Sequence, residues 1–138
     1  MKTPIGLTGN PLWKRDTQHG DLWLQAYVTI PKSTSIPSYR IAFEAIVGKG
    51  YKGDVAIDEI VFTPNKRCSP VSQFGDTVGH YCDFEIGVCG YTQNELSGKW
   101  NRIQPTSSDE PTVDNTYQTR NGYYMAYKNT VNKKIYYL

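Results

Sequence analysis

Cysteine and histidine are scarce in these 138 residues, with three of the first and two of the second. No apolar run approaches the roughly 18–20 residues needed to span a bilayer as a helix. Hydrolytic chemistry finds no foothold either, because neither a Gly-x-Ser-x-Gly nor a His-Glu-x-x-His motif occurs. His19 and His80 are expected in loops, and Asp16 or Asp21 beside His19 forms no dyad without a nucleophile. The Gly48–Gly53 run has no Lys-Ser/Thr ending and leads into a strand, which excludes a phosphate-cradling loop. Charge is too balanced for a nucleic-acid binder: residues 1–68 carry nine Lys/Arg against six Asp/Glu (+3), residues 69–138 six against seven (−1). There is no Asn-x-Ser/Thr sequon. Residues 1–11, with Pro4, Gly6, Gly9 and Pro11, lack the apolar centre of a signal peptide.

What remains is β-patterned. Leu22, Leu24, Ala26, Val28 and Ile30 alternate with Trp23, Gln25, Tyr27 and Thr29, so a strand is expected with the aliphatic set facing the core. Pro31 to Pro37 then breaks the pattern. Ile41, Phe43, Ala45 and Val47 alternate with Arg40, Ala42, Glu44 and Ile46, predicting a second strand. Glycines 48, 50 and 53 introduce a third over Val55 to Phe62, ended by Pro64, with one acid on each of its faces. Residues 69–80 read as a linker. Further on, Trp100 to Ile103, Gly122 to Tyr127 and Lys133 to Leu138 are strand-like, and Gln104 to Asn115 reads as a loop. No segment repeats every 3.6 residues between caps, so the fold class is all-β, a sandwich or barrel. The length suits one domain with a sizeable core.

Two blocks carry a family resemblance. The first comprises Leu12-Trp13, Gly20-Asp21-Leu22-Trp23, Tyr39 to Ala45, and the glycine-rich turn into Ala56-Ile57-Asp58-Glu59-Ile60, closing at Cys68. It resembles the end of a MAM domain, the extracellular β-sandwich module of meprins, neuropilins and mu-type receptor tyrosine phosphatases. The second comprises Cys82-Asp83-Phe84-Glu85, Cys89-Gly90-Tyr91, Gln93, Trp100, Asp114-Asn115-Thr116 and Gly122 to Met125, and resembles the opening of such a domain. The order is end first, beginning second, and the middle of a MAM domain is missing. The resemblance thus implies residues 1–68 as the later part of one unit, 69–80 as linker and 81–138 as the early part of the next. The alternative is one permuted, jelly-roll-like antiparallel sandwich, with residues 82–138 packed against 12–68.

The implied sites follow. Cys82 and Cys89 match family cysteines that are disulfide-linked, which leaves Cys68 unpaired; a metal clip with His80 and a reduced pair are the rival readings. Some MAM domains hold a cation within the sandwich, and the resemblance points to Asp58, Glu85 and Asp114 as calcium ligands. Otherwise those acids accept backbone or tyrosine hydrogen bonds. The tyrosine-rich tail either packs the sandwich walls or supplies interface anchors, for which Tyr123, Tyr124 and Tyr127 are the candidates. The implied role is non-catalytic recognition or adhesion outside the cell, in a larger secreted or membrane-anchored protein, with a homophilic or heterophilic protein partner and no required cofactor. The alternatives are an accessory segment of a meprin-like secreted protease and a small secreted binding protein.

Overall fold

A computed structural model describes residues 11–17, 19–31, 40–46, 54–64, 79–93, 99–108 and 111–128, and the backbone of 135–137. Seven strands are formed: β1 (Glu44–Ile46), β2 (Val55–Ile57), β3 (Ile60–Phe62), β4 (His80–Cys82), β5 (Trp100–Ile103), β6 (Tyr124–Tyr127) and β7 (Ile135–Tyr137). Among the described residues there is no helix, and every ladder is antiparallel. The fold is all-β, as the patterning predicts.

The ladders join distant parts of the chain. β1 pairs with β7, β3 with β4, and β6 lies between β2 and β5. Three of these four pairings therefore connect residues 44–62 to residues 80–137. Only β5–β6 lies within the later segment, and the earlier segment has no ladder of its own among the described residues. Within this chain, the two segments complete each other's sheets.

β6 shows why. All four of its residues, Tyr124, Met125, Ala126 and Tyr127, are buried, so both faces of the strand are covered. On one face Met125 and Tyr127 join Ala45, Cys82, Phe84 and Trp100 in the core, with Phe43, Val55, Ile57, Ile60 and Tyr91 packed around them. On the other, the Trp23 ring meets Tyr124 edge-on at 5.4 Å between centroids, a geometry worth about 0.5–1.5 kcal/mol beyond burial. The Trp23 indole N–H donates to the Val113 carbonyl at 2.8 Å.

Three expectations are corrected. Residues 22–30 form no strand, and Leu22 and Leu24 are 68% and 45% exposed while Trp23 turns inward. The segment covers Tyr124 through its tryptophan, and burying that large ring outweighs burying the alternate leucines. The expected single strand from Val55 to Phe62 is two, broken where Glu59 adopts φ +52 and the Glu59 N–H turns onto the Asp58 carboxylate at 2.8 Å. His80 is not in a loop but opens β4, paired with Phe62. The strand expected over 40–47 forms at Glu44–Ile46, and the alternation holds over 40–46: Ile41, Phe43 and Ala45 face inward, and Arg40, Ala42, Glu44 and Ile46 are exposed, while Val47 lies outside the described residues.

Candidate functional site

Among the described residues, side-chain hydrogen bonds from both segments gather at the loop over residues 111–119. From the earlier segment, Asp21 accepts the Thr112 N–H and its hydroxyl, both at 2.6 Å. Asp58 accepts the Asn115 N–H at 2.9 Å, and Glu59 accepts the Asn115 side-chain amide at 2.5 Å. From the later segment, the Tyr124 hydroxyl donates to the Pro111 carbonyl. Inside the loop, Asp114 is fully buried and accepts the N–H groups of Tyr117 at 2.5 Å and Thr119 at 2.8 Å. With two backbone N–H groups and the Thr119 hydroxyl on it, this carboxyl group fixes the loop from within. Gly122 lies against it so closely that any Cβ there would overlap the carboxylate.

Of the three expected cation ligands, the structure brings Asp58 to the loop that holds Asp114, where it accepts the N–H of the neighbouring Asn115 and the charge of Asp114 acts on it. The Glu85 carboxylate accepts the Tyr123 N–H at 3.0 Å. Among the described residues no three His, Cys, Asp or Glu side chains are grouped as a metal site needs. Each of the three carboxylates accepts at least one backbone N–H in this arrangement. Burial pushes the Asp58 carboxyl up to about 7, against the opposing pull of N–H groups from Asn115, Glu59 and Thr116; the charge of Asp114 adds to the rise.

Cys82 and Cys89 are joined by a disulfide with Cα atoms 5.9 Å apart. Cys82 is buried in the core, and the bridged turn carries Ile86 outward, fully exposed. Cys68, expected to be unpaired, lies outside the described residues. Arg102 braces the same turn, donating to the carbonyls of Phe84 and Glu85 at 2.5 Å while its guanidinium lies 3.5 Å above the Tyr123 ring. The Gln93 side chain accepts the Trp100 N–H at 2.8 Å and donates to its carbonyl at 3.0 Å, acting as a short strand beside β5.

The tyrosine expectation is corrected in part. Tyr124 and Tyr127 are 1% and 3% exposed, so they build the core and offer nothing to a partner. Tyr123 is half-buried under Arg102. Among the described residues the exposed aromatics are instead Trp13, Tyr27, Tyr81 and Tyr117, of which Tyr81 and Tyr117 lie in the later segment. Burial, with the nearby charges of Glu59, Asp83 and Asp58, raises the Tyr81 hydroxyl above the usual tyrosine range. Sequence reasoning missed the roles of Arg102, Gly122 and Asp21; Gly122 and Asp21 stood in quoted motifs, but nothing in the sequence marks the Asp21 contact ninety residues away.

The scaffold is antiparallel β, pinned by a disulfide, with Asp21, Asp58, Glu59 and Asp114 holding the 111–119 loop. Residues 2–69 and 82–137 match the model of the family described as MAM domain, meprin/A5/mu. The chain belongs to the MAM domain family. It is 30% identical over 118 residues to MAM domain-containing protein 2 of Mus musculus, covering 83% of this chain and 16% of that protein. It is 41% identical over 51 residues to human MAM domain-containing glycosylphosphatidylinositol anchor protein 2, covering 37% and 5%. Neuropilin-1 of Xenopus laevis is 30% identical over 95 residues, covering 65% and 10%. The chain thus spans a sixth or less of the length of these relatives. No solved structure matches. Among the described residues no helix is long and apolar enough to cross a membrane.

Proposed function

We propose that the chain is a non-catalytic recognition module acting outside the cell, as part of a larger secreted or membrane-anchored protein. The observation that carries this is the family match over both blocks, residues 2–69 and 82–137. The match in two separate blocks accommodates two units, with residues 1–68 the later part of one, 69–80 the linker and 81–138 the early part of the next, while the ladders shared between the blocks favour the permuted alternative, one sandwich built from both. Recognition would rest on surface complementarity, with Tyr81, Tyr117 and Ile86 as exposed anchors beside the carboxylates of Glu59 and Asp83. The partner is a protein, and the reading requires no cofactor. The word meprin in the family's description favours a second reading, an accessory segment of a secreted protease; a His-Glu-x-x-His motif in a longer transcript would select it.

Beads coated with the oxidised chain, offered to cells and to identically coated beads, test the proposal. Saturable binding that weakens about tenfold when Tyr81 and Tyr117 are both changed to Ala would support it. Binding absent from both surfaces would remove it. Calcium is tested separately: a melting temperature raised by calcium in the natural chain but not in Asp58→Asn would put a cation at the 111–119 loop. Equal melting temperatures in calcium and in chelator would leave these acids as backbone acceptors.

A further inference from the structure

We propose that the two segments also pair between chains, each copy lending residues 11–64 to residues 79–137 of a second copy. The partner this surface fits is then another molecule of the same chain. The inference stands on the strand pairing, whatever the module binds.

Three observations carry it. First, among the described residues β1, β2 and β3 find their strand partners across the segment boundary, in β7, β6 and β4. The second segment offers the same edges whichever chain supplies the first. Second, the side-chain contacts obey the same division: Asp21, Trp23, Asp58 and Glu59 on one side all grip residues 112–115 on the other. An exchange therefore repeats every contact of the closed chain and needs no new one. Two copies that trade segments close a two-fold dimer, the low-cost route by which identical elements are shared between protomers. Third, the connection from Phe62 to His80, residues 63–79, is long enough to reach roughly 55–60 Å when extended, so each segment can leave its own partner for another. The closed chain wins in dilute solution because a tether of this kind presents the partner segment at about millimolar effective concentration. Exchange takes over when copies are crowded to that level.

The test uses two full-length chains, both with Cys68→Ser and with the Cys82–Cys89 bridge intact. One carries Asp21→Cys and the other Thr112→Cys, at a contact that joins the segments. The two are unfolded together in urea, refolded at rising concentration and treated with a short bis-maleimide. Mixed crosslinked dimers should be scarce at about 1 µM and abundant near 1 mM. A control replaces Thr112→Cys by Asn101→Cys, exposed on β5, and should give only background. A chain carrying both Asp21→Cys and Thr112→Cys should crosslink within itself when dilute, which verifies that the contact forms. Mixed dimers no more frequent than the Asn101→Cys background at every concentration, with the double variant closing on itself, would overturn the proposal.

Discussion

The two segments share one core but not one kind of stability. Residues 79–128 hold a ladder of their own, a disulfide, an arginine bridging two carbonyls of the bridged turn, and a buried carboxylate inside a loop. Residues 11–64 have none of these among the described residues; their order comes from pairing with, and clasping, the other segment. The later segment is the scaffold and the earlier one the cover. Cooperativity between them is therefore unequal: loss of the scaffold removes both, whereas loss of a clasp loosens one.

The strongest way to break that comparison is Phe84→Ala, because Phe84 is fully buried in the shared core. It should cost about 3–5 kcal/mol and remove protection from both segments together, read by urea unfolding and amide exchange. Cys82→Ser with Cys89→Ser comes next. A short bridged turn should contribute about 2–3 kcal/mol, so the midpoint should fall clearly; an unchanged midpoint would deny the bridge its structural part. Trp23→Phe should sharpen the comparison. It keeps an aromatic ring, a smaller one, and loses the hydrogen bond to Val113, a change of about 1–2 kcal/mol. Proteolysis near residues 21–31 should quicken while exchange in β5 and β6 stays as it was.

The gentlest test is pH. Burial raises the Asp58 carboxyl to about 7, above its usual value of 3.8, so the folded state binds a proton more readily than the unfolded one. The stability linked to Asp58 is fully present below about pH 4 and is lost as pH rises toward and through about 7. Urea midpoints across that window should show a downward slope from this group, and Asp58→Asn should flatten it. An equal slope in both chains would assign the pH dependence elsewhere.

The fold class was legible because alternation at 40–46 and a chain without helical periodicity both report directly on local backbone choices. Family membership was legible from cysteine, tryptophan and glycine placements within each block. The break at Asp58-Glu59 was not, because a left-handed glutamate is selected by the loop it touches and leaves no mark on the hydrophobic pattern. Residues 22–30 misled for the opposite reason: their alternation is strong, but a strand also needs an edge to pair with. Tyr124 and Tyr127 were misplaced as surface anchors because a strand buried on both faces loses the period-two signal that would have shown them inside.

The close fit between Gly122 and Asp114 has a bearing on how this sequence can vary. A side chain at position 122 would push out the carboxylate and release the N–H groups of Tyr117 and Thr119 that it holds. Removing the carboxylate first would leave those donors unpaired in a space that a methyl group could then enter. The two positions are therefore free to change only in concert, and a glycine without any chemistry of its own is bound to the inheritance of an aspartate eight residues away.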